Sequence, residues 1–67
     1  MITLSINGEP RQFQQALSIA DLIVEMGLAG KRVALERNGE IVPRSQFASQ
    51  QLAEGDKLEV VVAVGGG

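Results

Sequence analysis

The chain contains no cysteine and no histidine. These absences remove the commonest strong nucleophile, the commonest general base and the usual transition-metal ligands, so neither a self-contained enzyme nor a metal centre is expected. Disulfides are excluded as well. A chain of 67 residues must then close its fold by packing alone, near the lower size at which a domain buries enough surface to do so. Aromatic residues are scarce: two phenylalanines, with no tryptophan or tyrosine. The 45% of hydrophobic residues is therefore almost wholly aliphatic, which argues for a packed core and against a disordered chain. No stretch approaches the roughly 20 apolar residues of a membrane span, and the opening MITLSINGEP has no basic leader or long apolar run, so the expected location is the cytoplasm. An excess of positive charge is also missing. Six basic and eight acidic residues give a net charge of -2, and the basic ones are scattered, which leaves no footprint for a nucleic-acid backbone.

The acidic residues Glu9, Asp21, Glu25, Glu36, Glu40, Glu54, Asp56 and Glu59 stand singly, the pattern of solvated surface carboxylates and not of a catalytic pair. Arg37 and Arg44 flank a turn and are read as solvated, with pairing to a partner's acidic groups as the alternative. Nothing local supports Lys31 as a modification site. Phe13, Met26 and Phe47 are assigned to the core.

What is present is a clear change of period along the chain. Ile2, Leu4 and Ile6 alternate with Thr3, Ser5 and Asn7, the mark of a half-buried strand. Asn7-Gly8 tolerates the positive φ angles of a tight hairpin, so a second strand returns through Arg11, Gln12 and Phe13. From Ser18 the spacing of Ile19, Leu22, Ile23 and Met26 is helical. Ser18 is the capping residue, Asp21 sits three positions on, and Gly27 suits a left-handed helix end. The helix is expected to run for about 8 to 10 residues, too short to be stable in water without a sheet to lie on. Val33 to Arg37 reads as a third strand, Asn38-Gly39 as a second tight turn, and Glu40 to Val42 as a short return ended by Pro43. RSQFASQQLAEGD forms a crossover with one helical turn, its Phe47 and Leu52 plugging the core, and Gly55-Asp56 turns into a last strand from Lys57 to Val64.

One helix on one face of a mixed sheet of four to five strands buries these stripes, giving an α+β fold whose other sheet face stays open. By period two, Leu58, Val60 and Val62 face the helix, while Glu59, Val61 and Ala63 share the open face with Thr3, Ser5, Ala34 and Glu36. Val61 is either a single exposed valine or part of a docking surface.

The stretches INGEP, VALERNGEIVPRSQF, the GD before the last strand and the ending VVVAVGGG together span nearly the whole chain. In this order they resemble the thiamin-pathway sulfur carriers, the ThiS family, which have the ubiquitin-like β-grasp fold. The resemblance implies that the reactive group is the C-terminal carboxylate of Gly67. An ATP-dependent activating enzyme, E1-like, adenylates it; a sulfur-donor enzyme converts it to a thiocarboxylate; and thiazole synthase receives the sulfur. This chain itself would bind no cofactor, the ATP being used by its partner. Residues 1–64 form the β-grasp domain. Gly65, Gly66 and Gly67 form an arm that enters the partner, and Glu59, Val61, Ala63 and Val64 are the candidate docking residues. Three extended residues beyond Val64 reach roughly 10 Å, and glycine admits backbone angles and channel widths closed to other residues. The alternatives are a carrier for molybdopterin synthesis and a ubiquitin-like binding module or modifier without sulfur chemistry.

Overall fold

A computed structural model describes residues 1–63. The strands are β1 (Ile2–Ile6), β2 (Glu9–Phe13), β3 (Val33–Arg37), β4 (Glu40–Val42) and β5 (Lys57–Val62); one helix, α1 (Ile19–Glu25), follows β2, and a 3-10 turn covers Arg44–Gln46. The five strands make one sheet in the order β2-β1-β5-β3-β4. β5 runs parallel to β1 and every other pairing is antiparallel, so the last strand in sequence lies at the centre of the sheet. This is the mixed sheet with one helix expected above.

Both hairpins turn on asparagine-glycine pairs in which the two residues have positive φ, 52° and 84° at Asn7-Gly8 and 52° and 86° at Asn38-Gly39. That conformation matches the right-handed twist of the flanking strands. Each turn asparagine also reaches sideways to β5. The Asn7 amide donates to the carbonyl of Val60 at 3.1 Å and accepts from its N–H at 2.8 Å, and the Asn38 amide oxygen accepts from the N–H of Lys57 at 2.9 Å.

The helix is shorter than expected, seven residues: it starts after the expected cap, Ser18, but its last helical residue is Glu25, with Met26 as the C-cap. At its start Ser18 and Asp21 form a reciprocal capping box, each side chain accepting from the other's backbone N–H. The N–H groups of Ile19 and Ala20 donate to the carbonyls of Gln50 and Phe47 in the crossover, so the orphan donors of the first turn are all satisfied. At its end Gly27, with φ 74°, donates to Val24 while Leu28 donates to Ile23, the paired bonds of a Schellman stop. Ile19, Leu22 and Ile23 bury the helix face against Leu4, Ile6, Leu35, Val42, Leu58 and Val60 of the sheet, with Phe47 and Leu52 of the crossover closing the core. Phe13 and Met26 are only partly buried and pack against its margin. β5 ends at Val62, two residues before the expected limit; Ala63 is outside the strand and Val64 lies outside the described residues.

Two expectations about charge are overturned. Asp56 is not a solvated carboxylate: it is buried at the start of β5, and Arg37 is not a solvated arginine but its partner, with Nη2 at 2.7 Å from Oδ2. The same carboxylate accepts from Arg37 Nε at 3.0 Å, from the Asn38 amide at 3.1 Å and from the backbone N–H of Ala53 at 2.8 Å. Arg37 also donates to Gln50 at 3.1 Å. Burial pushes the Asp56 carboxyl up, but the Ala53 N–H, the Asn38 amide and the Arg37 guanidinium outweigh it and hold the group below its ordinary 3.8.

A carboxylate with a lowered pKa adds stability that is complete above the unfolded value and lost as pH falls through the folded one. Asp56→Asn is therefore expected to cost about 2 kcal/mol at neutral pH. In urea titrations carried down to about pH 2.5 that deficit should shrink, because the wild type loses the same contribution when Asp56 protonates. A deficit that stays constant with pH would mean that the charge is not what stabilises this corner.

Candidate functional site

Strand parity puts Leu58 and Val60 in the core and turns Glu59 and Val61 outward. Register then assembles the open face around them. Ala34 lies opposite Val61 and Glu36 opposite Glu59 across β3 and β5, and Ile41 of β4 lies opposite Glu36. Thr3 and Ser5 line the same face from β1. Val61 is 60% exposed and Ile41 78%, two of the four large hydrophobic residues that are exposed among the described residues. Val61, Ala34 and Ile41 thus give the face an apolar character, interrupted by the two glutamates.

Of the candidate docking residues, Glu59, Val61 and Ala63 are exposed near the place where the chain leaves the sheet. Val64 and the proposed arm, Gly65, Gly66 and Gly67, lie outside the described residues. The base of the arm is tied down: the N–H of Ala63 donates to the carbonyl of Arg32 at 2.9 Å, one residue before β3 begins. Whatever follows Ala63 starts from a fixed point beside the end of β3.

Ile41 was not among the candidate residues, although the signal for it was available. The Asn38-Gly39 turn sets an antiparallel register in which the residue three beyond Asn38 faces Glu36, already assigned to the open side. The like-charged pair Glu36 and Glu59 needed the β3-β5 register, which joins segments that no local turn connects. Among the described residues no three acidic or other metal-ligating side chains converge, and no helix is long and apolar enough to cross a membrane.

Two carboxylates directly opposite on neighbouring strands repel each other. Glu59→Gln is expected to raise the melting temperature by about 1–3 °C at low salt, and the gain should fade as salt screens the pair. An unchanged melting temperature would show that the two side chains splay far enough into water to ignore each other.

A family model described as the ThiS family matches residues 4–67. A protein from Paramagnetospirillum magneticum named thiazole synthase is 47% identical over 64 residues, a match that takes in 96% of this chain and 20% of that protein. The chain thus spans about a fifth of that relative's length. The sulfur carrier protein ThiS of Bacillus subtilis is 34% identical over 65 residues, covering 96% of this chain and 98% of that one. The crystal structure of a thiamine biosynthesis protein (ThiS) from Geobacter metallireducens superposes with a TM-score of 0.83 at 29% identity, over 98% of this chain and all of the other. That fold is the ubiquitin-like β-grasp, and the five-stranded sheet with one helix described above has the same architecture.

Proposed function

This chain belongs to the ThiS family of sulfur carriers, and on that premise we propose that it carries sulfur for thiazole formation in thiamin biosynthesis, as a thiocarboxylate on Gly67. The observation that carries the reading is that the family match continues through residue 67, taking in the glycine run beyond the folded strands. The relative named thiazole synthase, in which a stretch 47% identical to this chain forms part of one polypeptide, supports thiazole synthase as the acceptor.

The chemistry divides between this chain and its partners. A carboxylate is a poor electrophile, so the Gly67 oxygen first attacks the α-phosphorus of ATP on an activating enzyme, releasing pyrophosphate and forming an acyl adenylate. The terminal sulfur of a persulfide then attacks the carbonyl carbon, and AMP leaves with the bonding pair. Reduction of the remaining sulfur–sulfur bond by a thiol frees the thiocarboxylate. The partners supply ATP, persulfide and reductant; this chain supplies the carboxyl group and the means to present it. Residues 1–64 act as the anchored domain, and Gly65, Gly66 and Gly67 act as an arm without side chains that threads a narrow channel. Glu59, Val61, Ala63 and Val64 form the docking face, with Ile41 and Ala34 extending its apolar part. A cationic group of the activating enzyme placed between Glu36 and Glu59 would relieve their repulsion on binding.

Incubation with the activating enzyme, ATP and a sulfur donor is expected to raise the intact mass by the exchange of one oxygen for one sulfur, and deletion of Gly67 to abolish the gain. No gain with a competent native partner would overturn the reading. Val61→Asp should leave the melting temperature within a few degrees of wild type, because the position faces solvent, and should weaken the activating-enzyme complex about tenfold. Unchanged affinity would remove Val61 from the docking face.

A further inference from the structure

Three of the six basic residues, Lys31, Arg32 and Arg44, gather around a surface that adjoins the docking face and shares only Ala34 and Ala63 with it. An apolar groove of about 270 Å³ runs between the C-terminal end of α1 and the 3-10 turn, lined by Ile23, Leu28, Val33 and Phe47, with Lys31 and Arg44 beside them. A second depression shares Val33 and Arg44 with it and continues past Arg32 and Ala34 to Ala63. Because Ala34 lies opposite Val61, this strip comes round the end of β3 and meets the open face.

The charge there is one-sided. No acidic residue lines either depression, and among the described residues the ion pair is Arg37 with Asp56, which leaves Lys31, Arg32 and Arg44 without a carboxylate partner. In a protein of net charge -2, that concentration of positive potential beside an apolar groove favours an acidic ligand. The groove falls short of the roughly 300 Å³ at which small-molecule pockets begin. It suits one or two apolar side chains of a protein partner better than a nucleotide.

Position selects the partner. The backbone bond from Ala63 to Arg32 fixes where the chain leaves β5, and the four residues from Val64 to Gly67 span at most roughly 14 Å. An enzyme that takes the Gly67 carboxylate, as the proposed function requires, must therefore bring its surface close to Arg32 and Arg44. We infer that the Lys31, Arg32 and Arg44 strip, with the groove beside it, is a second docking site for the activating enzyme, receiving an acidic segment that inserts a bulky apolar side chain. This inference rests on the sulfur-carrier reading and extends the docking surface from the sheet face round the end of β3.

The test measures affinity for the activating enzyme and for thiazole synthase by titration calorimetry across a salt series, and thiocarboxylate formation by intact mass, for wild type, the double variant Lys31→Glu with Arg44→Glu, and Ala48→Trp. Ala48 lines the groove and is exposed, so tryptophan there fills it without changing charge. The double reversal is expected to weaken binding tenfold or more at low salt and to flatten the dependence of affinity on salt. The tryptophan variant is expected to weaken binding at every salt concentration. Lys31→Arg with Arg44→Lys should bind as wild type does, and all variants should melt within a few degrees of it. Variants that bind and react like wild type would overturn the inference while leaving the sulfur-carrier reading intact. Full affinity for the activating enzyme with lost affinity for thiazole synthase would also overturn it, by assigning the strip to the acceptor. A wild type that gains no sulfur would overturn the underlying reading and this inference with it.

Discussion

The buried carboxylate of Asp56 holds the start of β5, and the placement of β5 decides most of what the protein presents. Parallel pairing of β5 with β1 covers only two residue pairs, Ser5 with Lys57 and Ile6 with Leu58, too few to hold a register strongly. The register is reinforced from the sides. Asp56 binds Arg37, Asn38 and the backbone of Ala53 at the strand's entrance, and the Asn7 amide pairs with both backbone groups of Val60 farther along. A slip of one residue would exchange Leu58 and Val60 for Glu59 and Val61 in the core. The same constraint fixes Ala63 against Arg32 and so fixes the point from which the chain leaves the sheet.

Around that strand the two faces of the sheet follow different rules. The helix face is closed by apolar packing, and no buried side-chain polar atom is without a partner among the described residues. The open face leaves Val61 and Ile41 to water and sets Glu36 against Glu59, arrangements from which a domain standing alone gains no stability. Tight packing on one side and local conflict on the other fit a protein that keeps its shape by itself and completes its surface on another molecule.

Much of this was legible from residue order. The alternation Ile2, Leu4, Ile6, the helical spacing of Ile19, Leu22 and Ile23, and the two asparagine-glycine turns each act within a few residues, so the strands, the helix and the open face could be read directly. Helix length was read less closely: Gly27 marked the end, but the apolar spacing continues through Met26, which serves as the C-cap, so the last helical residue is Glu25. The fates of Arg37 and Asp56 were hidden for a different reason: they are 19 residues apart, and nothing local distinguishes a paired arginine from a solvated one. The basic groove was equally hidden, since Lys31 and Arg44 belong to segments separated by the whole β3-β4 hairpin.

By itself the sequence determined the elements, the face that each strand turns inward, and the absence of cysteine and histidine chemistry from this chain, because each of these depends on residue types or on spacings of two to four positions. The tertiary structure alone decided which charges are buried and paired, which are gathered without a carboxylate partner among the described residues, and which strand lies at the centre. Those outcomes depend on contacts between segments far apart in the chain, and such contacts exist only once β5 has closed the sheet between β1 and β3.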